Sequence, residues 1–299
     1  MTESYEGRPL PRPQDEVADQ GLGFDLGTLH SRRRALRFLG LGAAAVGLTA
    51  CSAGGGTSPP TSTPTSTTTA TSSSGAPGEI REETVGPFPG DGSNGPDVLE
   101  QSGIVRSDIR SSFGGLRGTA EGVPMTLELT VADLANGGAA FAGVAVYVWH
   151  CSREGGYSMY SDGVEDQNFL RGVQIADSAG KVSFTSVFPA CYAGRWPHVH
   201  FEVYPDQASI TDAANVIATS QVALPRDVCE TVYAESGYEE SVPNLSRVSL
   251  DSDNVFGDDG GATQLATVTG DVAGGYTVRL AVGVDTTTGP AGGGAPPSR

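Results

Sequence analysis

Short runs of alternating apolar and polar residues, separated by glycine-rich turns, constrain this fold more than any other feature. In residues 125–131, Met, Leu, Leu and Val alternate with Thr, Glu and Thr, as in a β-strand with one solvated face. The same period of two recurs in residues 144–150, 182–188, 197–204 and 276–284. The chain has 42 glycines in 299 residues, about twice the usual share, which disfavours a helical bundle. The sequence predicts a mainly β protein, an antiparallel β-sandwich with few short helices and long loops.

One helix is expected within residues 225–236. Pro225 suits the first turn of a helix, because its missing N–H would have no partner there. Asp227 and Glu230 suit the positive N-terminal end of the helix.

The first fifty residues have the pattern of an export signal. Three arginines, Arg32 to Arg34, precede an uncharged stretch over residues 38–50, which is too short to span a bilayer. That stretch ends in Leu-Thr-Ala-Cys, which resembles the bacterial lipoprotein box. We therefore interpret residues 1–50 as a twin-arginine lipoprotein signal and Cys51 as the lipidated first residue of the mature protein. A signal peptide with a coincidental cysteine is the alternative.

Composition also marks a tether and a tail. Residues 52–78 contain only Ser, Thr, Pro, Gly and Ala, so residues 51–78 are interpreted as the lipidated cysteine and a disordered tether of about 30 Å. Residues 285–299 are similar and predict a disordered tail. Residues 79–284 then form the folded domain. We expect it on the outer face of the cytoplasmic membrane, attached only through the lipid at Cys51.

The charge limits the kind of partner. The formal net charge is −17, and residues 1–50 hold equal numbers of acidic and basic residues, so the acidity belongs to the mature protein. A nucleic-acid partner is disfavoured, because phosphate contacts require clustered Lys and Arg. A small molecule is the expected partner.

Two histidines form the sharpest chemical feature. On a strand, His198 and His200 present their imidazoles from one face, while Val199 and Phe201 face the other way. Two imidazoles side by side have metal-ligand geometry. Glu202 shares their face, so a zinc or copper enzyme with these three ligands is one reading that stays open.

Two tyrosines change the expected metal. Tyr157 follows a glycine turn, and Tyr192 lies shortly before the histidine pair. A phenol with a pKa of about 10 becomes a good ligand at neutral pH only beside a hard, highly charged cation. This favours Fe(III) over zinc or Cu(I).

These segments together resemble the intradiol ring-cleaving catechol dioxygenases. The resemblance covers most of residues 80–225. It is carried by Trp149-His150 with Tyr157, by Phe169–Gly172 and Asp177–Phe184, by Pro189–Tyr192, by Arg195 with His198 and His200, and by the entry segment Thr84–Phe88.

The resemblance implies one non-haem Fe(III) per domain. Tyr157 and His198 would be its equatorial ligands, and Tyr192 and His200 its axial ligands. A catechol-type phenol would chelate the iron as a dianion, and O2 would open the ring between the hydroxyls to give a cis,cis-muconate-type diacid.

The resemblance also implies roles for residues around the metal. Arg195 would be catalytic, as a fixed cation that stabilises developing charge and contacts the substrate. Gln221 would be a second catalytic residue near the substrate. Gly86 and Pro87 would border the substrate pocket.

Other properties stay open at this point. The helical dimerisation domain of cytosolic catechol enzymes has no counterpart in residues 52–78, so the oligomeric state is not predicted. The alternative function is a non-catalytic cell-surface β-sandwich that binds carbohydrate or metal. That alternative accounts for the tether and the strands but not for the ordered tyrosines, arginine and histidines.

Three cysteines remain after Cys51. Export permits a disulfide, and three cysteines allow three single pairings. We expect Cys191 to pair with Cys229, which would tether the Tyr192 loop to the predicted helix, with Cys151 as a small buried residue. The alternative is that all three stay free.

Overall fold

The computed structural model describes residues 76–288 and, near the N-terminus, the backbone of residues 4–5 and 8–9. Strands β1 (Ser4–Tyr5) and β2 (Arg8–Pro9) form a short antiparallel pair. The predicted lipidation site Cys51, most of the export signal and tether, and the tail from residue 289 lie outside the described residues.

The main body is mainly β, as the alternating patterns predict. Its strands are β3 (Pro124–Asp133), β4 (Ala139–Ala140), β5 (Ala145–Trp149), β6 (Arg171–Ile175), β7 (Lys181–Val187), β8 (His198–Tyr204), β9 (Ala218–Ala223), β10 (Thr267–Asp271) and β11 (Gly275–Val284). Its α-helices, α1 (Arg226–Val232) and α2 (Ser241–Leu245), are short, and 3-10 turns occupy Gln207–Thr211, Ala213–Asn215, Leu250–Ser252 and Phe256–Asp258. The prediction of a β-sandwich with few short helices and long loops is confirmed.

The strands form two sheets. The first has the order β10-β11-β3-β4, with β7 also paired to β3, and the second has the order β6-β5-β8-β9. Every pair is antiparallel except β11 with β3, which run parallel. The sequence predicts an antiparallel sandwich, and this prediction is wrong for one pair of strands, β11 and β3. A parallel pair needs a long connection, and most of the domain lies between β3 and β11.

The core lies between the two sheets. On the first sheet, Leu127 and Leu129 of β3 are buried against Val199 and Phe201 of β8 within one apolar cluster. Burying side chains of this size contributes about 1.5–3 kcal/mol each. This cluster fixes which face of β8 points inward, and His198 and His200 therefore point outward.

The outer face of the second sheet is also covered. Every residue of β5, β8 and β9 is buried. Val98, Leu99 and Ile104, from the segment that precedes β3, pack there with Tyr147 and Trp149 of β5. Polar side chains on this outer face are therefore enclosed between the sheet and the loops.

The predicted helix is present but shorter than expected. It spans Arg226–Val232, with Pro225 as its N-cap and Asp227 in its first turn, and it ends at Tyr233, whose N–H donates to the Cys229 carbonyl. Within the described residues, no helix has the length and apolar character needed to cross a membrane.

The structure contradicts the expected disulfide between Cys191 and Cys229. Cys151, Cys191 and Cys229 are all free and buried in the described part of the chain. The thiol of Cys191 donates to the Arg195 carbonyl at 3.5 Å. A free, buried cysteine packs as a small apolar residue, and all three cysteines are of this kind.

Candidate metal centre

The two histidines of β8 place adjacent imidazoles on the covered outer face of the second sheet. The Nε2 atoms of His198 and His200 lie 3.1 Å apart. The third histidine of the domain, His150, is not part of this group, because its ring bonds to Ser186 Oγ at 2.7 Å and to the Cys151 carbonyl at 2.8 Å.

The two tyrosines reach the same point from separate loops. Tyr157 follows β5 and Tyr192 precedes β8. Their phenolic oxygens lie 3.4 Å and 3.3 Å from His198 Nε2, and 3.5 Å from each other. The structure therefore brings together all four ligands expected from the sequence.

The four donor atoms fit a single metal ion. Ligands of one four-coordinate metal, with bonds of about 2.0–2.1 Å, lie about 3.3 Å apart. The three separations from His198 Nε2 and the one between the two phenolic oxygens, 3.1–3.5 Å, agree with that spacing. Two phenols and two imidazoles suit a hard ferric ion once the phenols are deprotonated.

The zinc or copper reading with Glu202 finds no support in this geometry. Within the described residues, no group of three or more His, Cys, Asp or Glu is arranged to hold a metal. The carboxylate of Glu202 instead accepts a hydrogen bond from Tyr204 Oη at 2.9 Å.

Burial determines the protonation of the donors. It raises the pKa of Tyr157 well above its usual value, raises that of Tyr192, and lowers the pKa values of His198 and His200 well below the usual value. The imidazoles are therefore neutral and ready to bind a cation. The phenols lose their protons only when a cation replaces them, so metal binding releases protons.

Different kinds of contact fix the ring orientations of His198 and His200. The Nδ1–H of His198 donates to the Trp196 carbonyl at 2.5 Å, which leaves Nε2 as the free lone pair. His200 Nδ1 is buried and, in the described structure, has no hydrogen-bond partner. Its ring instead stacks on the indole of Trp149, with centroids 4.8 Å apart and planes 9° apart.

Arg195 and Gln221 also lie at the site. Arg195 Nη1 is 3.5 Å from His198 Nε2, and Arg195 Nη2 donates to Gln221 Oε1 at 2.6 Å. Gln221 is the partner of His200 in the β8–β9 ladder, and its Nε2 donates to the Thr84 carbonyl at 3.2 Å. Burial lowers the pKa of Arg195, but electrostatic interactions with Tyr192 and Asp253, together with the hydrogen bond to Asp253, outweigh this and raise it overall, so the guanidinium stays protonated.

The entry segment forms a wall of the site. Gly86 has φ +77°, and a Cβ atom at this position would lie 3.2 Å from His200 Cε1. The ring of Phe88 lies 5.0 Å from that of Tyr157. Pro87 is exposed and its carbonyl accepts from Asn94, so Phe88 rather than Pro87 supplies the side chain beside the ligands.

Two charged residues at the site, Asp253 and Arg171, are not among the site residues predicted from the sequence. Asp253 pairs with Arg195, with its carboxylate 3.0 Å from Nε. Arg171 is buried, and its five N–H groups are matched by five neutral oxygens, those of Phe88, Pro89, Tyr147 and two from Ser158. Nothing local in the sequence selects Asp253 among the many acids. Arg171 lies in a segment that carried the resemblance, but its hydrogen bonds to distant carbonyls give no local signal.

Comparisons with known proteins give the family resemblance and the fold. A family model described as dioxygenase (Dioxygenase_C) matches residues 94–209, which include Tyr157, Tyr192, Arg195, His198 and His200. An intradiol ring-cleavage dioxygenase from Tetranychus urticae superposes with a TM-score of 0.55 at 21% identity, over 70% of this chain and 96% of that one. The resemblance to the intradiol dioxygenases is confirmed.

Further structures are similar to this chain. A second dioxygenase structure gives a TM-score of 0.56 at 21% identity, over 71% of this chain and 96% of that one. The dioxygenase domain of a dioxygenase–carbohydrate-binding fusion from Streptomyces sp. SirexAA-E gives 0.44 at 17% identity, over 69% and 98%. No curated protein matches the sequence. The chain thus has the β-sandwich of the intradiol dioxygenases, with two donors on its second sheet and two on loops beside it.

Proposed function

We propose that this protein is a non-haem Fe(III) intradiol dioxygenase, which cleaves catechol-type rings with O2 to cis,cis-muconate-type diacids. The convergence of four donor atoms from Tyr157, Tyr192, His198 and His200 carries the proposal. The intradiol dioxygenase fold supports it. One ferric ion per domain, held by these residues, would supply the Lewis acidity that makes a bound catechol reactive toward O2.

The ligands differ in exposure, which suggests different roles. Tyr192 is partly exposed, whereas Tyr157, His198 and His200 are buried. Tyr192 is therefore the most accessible of the four residues, and we infer that a catechol enters on its side. We assign Tyr192 the role of accepting a proton from a catechol hydroxyl, because its phenolate would be a base strong enough to do so.

Arg195 supplies fixed positive charge. Its guanidinium is buried and held at two of its nitrogens, so it does not reorganise as charge develops on the substrate oxygens. Loss of such a group typically lowers kcat by about 10²–10³. Phe88 and Gly86 cover the donors on the other side and help to exclude water.

The visible spectrum of purified, iron-loaded protein tests the proposal. We expect a broad tyrosinate-to-iron charge-transfer band, one iron per chain, and a shift of the band on anaerobic addition of catechol. Tyr192→Phe should alter the band and abolish the normal shift. Tyr276→Phe, a buried tyrosine in β11 outside the site, is the matched control and should leave both unchanged. A colourless protein that takes up zinc, or no metal, would contradict the proposal.

We also propose that the enzyme works outside the cytoplasm, exported by the twin-arginine route and anchored by a lipid on Cys51. The arginines, the short apolar run and the Ala-Cys junction of the sequence support this. Cells given an alkyne-tagged fatty acid should label the wild-type protein. The Cys51→Ala variant should be unlabelled and released from the membrane fraction, and labelling of that variant would contradict the assignment.

A further inference from the structure

A buried carboxylate beyond the segment matched by the family model contacts the catalytic machinery. Asp253 follows the 3-10 turn Leu250–Ser252, and its side chain is fully buried. We propose that Asp253 is a positioning residue of the active site, which fixes the Arg195 guanidinium so that Nη1 faces the metal ligands. This inference rests on the proposed function.

Four donors hold the Asp253 carboxylate itself. Oδ2 accepts from Arg195 Nε at 3.0 Å and from the Trp196 N–H at 2.6 Å. Oδ1 accepts from the N–H groups of Val255 and Phe256 at 2.8 Å and 3.1 Å. A carboxylate with both oxygens bonded in this way has little freedom to rotate, so its direction toward Arg195 is fixed.

The rigid carboxylate fixes the whole guanidinium. A guanidinium is planar, so holding two of its nitrogens sets the direction of the third. Asp253 holds Nε, and Gln221 holds Nη2 at 2.6 Å. Nη1 is left 3.5 Å from His198 Nε2, and within the described chain it makes no other hydrogen bond. The uncommitted donors of Arg195 therefore point to where the substrate oxygens would lie.

Charge gives Asp253 a second role. Both side chains of the pair are almost fully buried, with 7% of the Arg195 side chain exposed and none of that of Asp253. A buried cation without its partner turns toward solvent or another acceptor, because an unpaired charge in the interior is costly. The same segment also places the ring of Phe256 6.5 Å from that of His198, so it contacts Arg195 through Asp253 and a proposed metal ligand through Phe256.

Asp253→Asn tests the proposal, because asparagine keeps the shape but removes the charge. In the iron-loaded mature chain we expect an unchanged metal content and charge-transfer band, since no ligand is altered. We expect kcat to fall about 10- to 100-fold. The Arg195→Ala/Asp253→Asn double variant should be no slower than Arg195→Ala alone, because residues that act as a unit are non-additive. Asp227→Asn, an exposed acid of α1, is the control and should match the wild type.

A second readout uses the iron-free protein. In the wild type, the Arg195 Nε–H resonance should be resolved and slow to exchange with solvent, because it donates to a buried carboxylate. Asp253→Asn should lose that protection. Asp253→Glu, which keeps the charge, should recover part of the slow solvent exchange of the Arg195 Nε–H and part of kcat. If Asp253→Asn misfolds, Asp253→Glu and Arg195→Lys provide the same test. Both variants keep the two charges but alter the hydrogen bond that positions the guanidinium, so kcat should fall in each.

Two outcomes overturn the inference. One is a kcat of Asp253→Asn equal to that of the wild type, and the other is multiplicative loss in the double variant. Failure of the proposed function differs from both, because the wild type itself would then show no ferric band or no turnover, while the Nε–H protection of the iron-free protein would still report whether Asp253 holds Arg195.

Discussion

Single residues around the four proposed ligands determine how firmly their side chains are held. His198 is oriented by a hydrogen bond to a backbone carbonyl, whereas His200 relies on its stack against Trp149. Outer partners of metal ligands typically contribute about 10- to 100-fold in metal affinity. The indole of Trp149 performs this role for His200 without a hydrogen bond.

Replacement of this indole should weaken iron binding. In Trp149→Leu the His200 ring loses its stacking partner and gains freedom to rotate, so we expect iron affinity to fall about 10-fold or more. Competition with a chelator measures the affinity. Phe184→Leu, which removes a buried aromatic ring from β7 in the core, should lower stability but keep the affinity. Equal loss in both variants would mean that Trp149 acts only through stability.

Gly86 provides a second test at the scale of a residue. Its φ of +77° strains any other residue, and an added Cβ would also approach His200 Cε1 to 3.2 Å. Gly137 has a similar φ of +70° but has no atom within 4 Å of an added Cβ, so Gly137→Ala carries the backbone strain alone. We expect Gly86→Ala to lose about 1 kcal/mol or more of unfolding free energy from strain, as Gly137→Ala does, and in addition to bind iron more weakly. Titration with Fe(III) checks this, and wild-type affinity in Gly86→Ala would refute the close contact.

Some of this site could be predicted from the sequence, because its signals are local. Tyr192, His198 and His200 lie within nine residues, and the two histidines share a strand face by periodicity alone. Asp253 could not be predicted, because its pairing with Arg195 depends on how a C-terminal segment folds back over 58 residues. The contact of Phe88 with Tyr157 likewise depends on tertiary packing.

Secondary-structure elements are joined at the site by Arg171. This first residue of β6 donates to the carbonyls of Phe88, at the end of the entry segment, of Pro89, the next residue, and of Ser158 in the Tyr157 loop. It also donates to Tyr147 Oη in β5 at 3.0 Å. One cation therefore connects the pocket wall, a ligand loop and the sheet below them.

Loss of this cation should loosen all three elements together. Arg171→Leu leaves buried oxygens without donors, so we expect a loss of about 3 kcal/mol or more in unfolding free energy, with weaker iron binding. Arg171→Lys keeps the charge but has only three donors, so its loss should be intermediate. Arg279→Leu removes a half-exposed partner of Glu128 and should cost less than about 1 kcal/mol. Urea unfolding of the iron-free protein gives these values, and similar losses for Arg171→Leu and Arg279→Leu would contradict this role.

Glu82, two residues before the entry segment, makes the stability of the fold depend on pH. Burial raises the pKa of Glu82 to about 7, and its carboxylate accepts from the Thr219 N–H of β9. The folded form therefore holds the proton more tightly than the unfolded form. The stabilisation is complete below about pH 4.5 and is lost as the pH rises toward 7.

Removing that acid should flatten the profile. Between pH 4.5 and 8, the unfolding free energy of Glu82→Gln should fall less than that of the wild type. The difference should be about 1 kcal/mol, because the partial exposure of Glu82 reduces the effect of its raised pKa. Glu165→Gln, at an exposed acid in the loop before β6, should keep the wild-type slope. Thermal unfolding of the iron-free protein across this range measures the difference, and identical slopes for Glu82→Gln and the wild type would exclude this role.

At the scale of the whole molecule, the alternating patterns predict the two layers but not their connection. Each strand with a period of two identifies its own buried face, so the sandwich follows from local sequence. The parallel pairing of β11 with β3 does not, because it joins strands from opposite ends of the domain. The covering of the second sheet by residues before β3 is also non-local, and it turns two exposed histidines into a buried site.

The state of the cysteines connects the whole fold to its proposed route of export. Cys151 donates to the Ala190 carbonyl at 3.7 Å, and burial raises the pKa of Cys151 and of Cys191 to about 12, which makes their thiolates scarce and unreactive. A protein that folds in a reducing cytosol before twin-arginine export would enclose such thiols before it meets an oxidising compartment.

A thiol count therefore tests the fold and the route together. In the exported, lipidated chain the lipid blocks the thiol of Cys51, so the remaining thiols are those of Cys151, Cys191 and Cys229. When it is isolated from the membrane exterior, we expect no reaction with a thiol reagent under native conditions, and three reactive thiols after denaturation without reductant. Cys229→Ser should then give two. One reactive thiol in the denatured wild type would instead show that a disulfide forms after export. Two reactive thiols in Cys229→Ser would then show that Cys229 is one of its partners, and none would show that Cys151 pairs with Cys191.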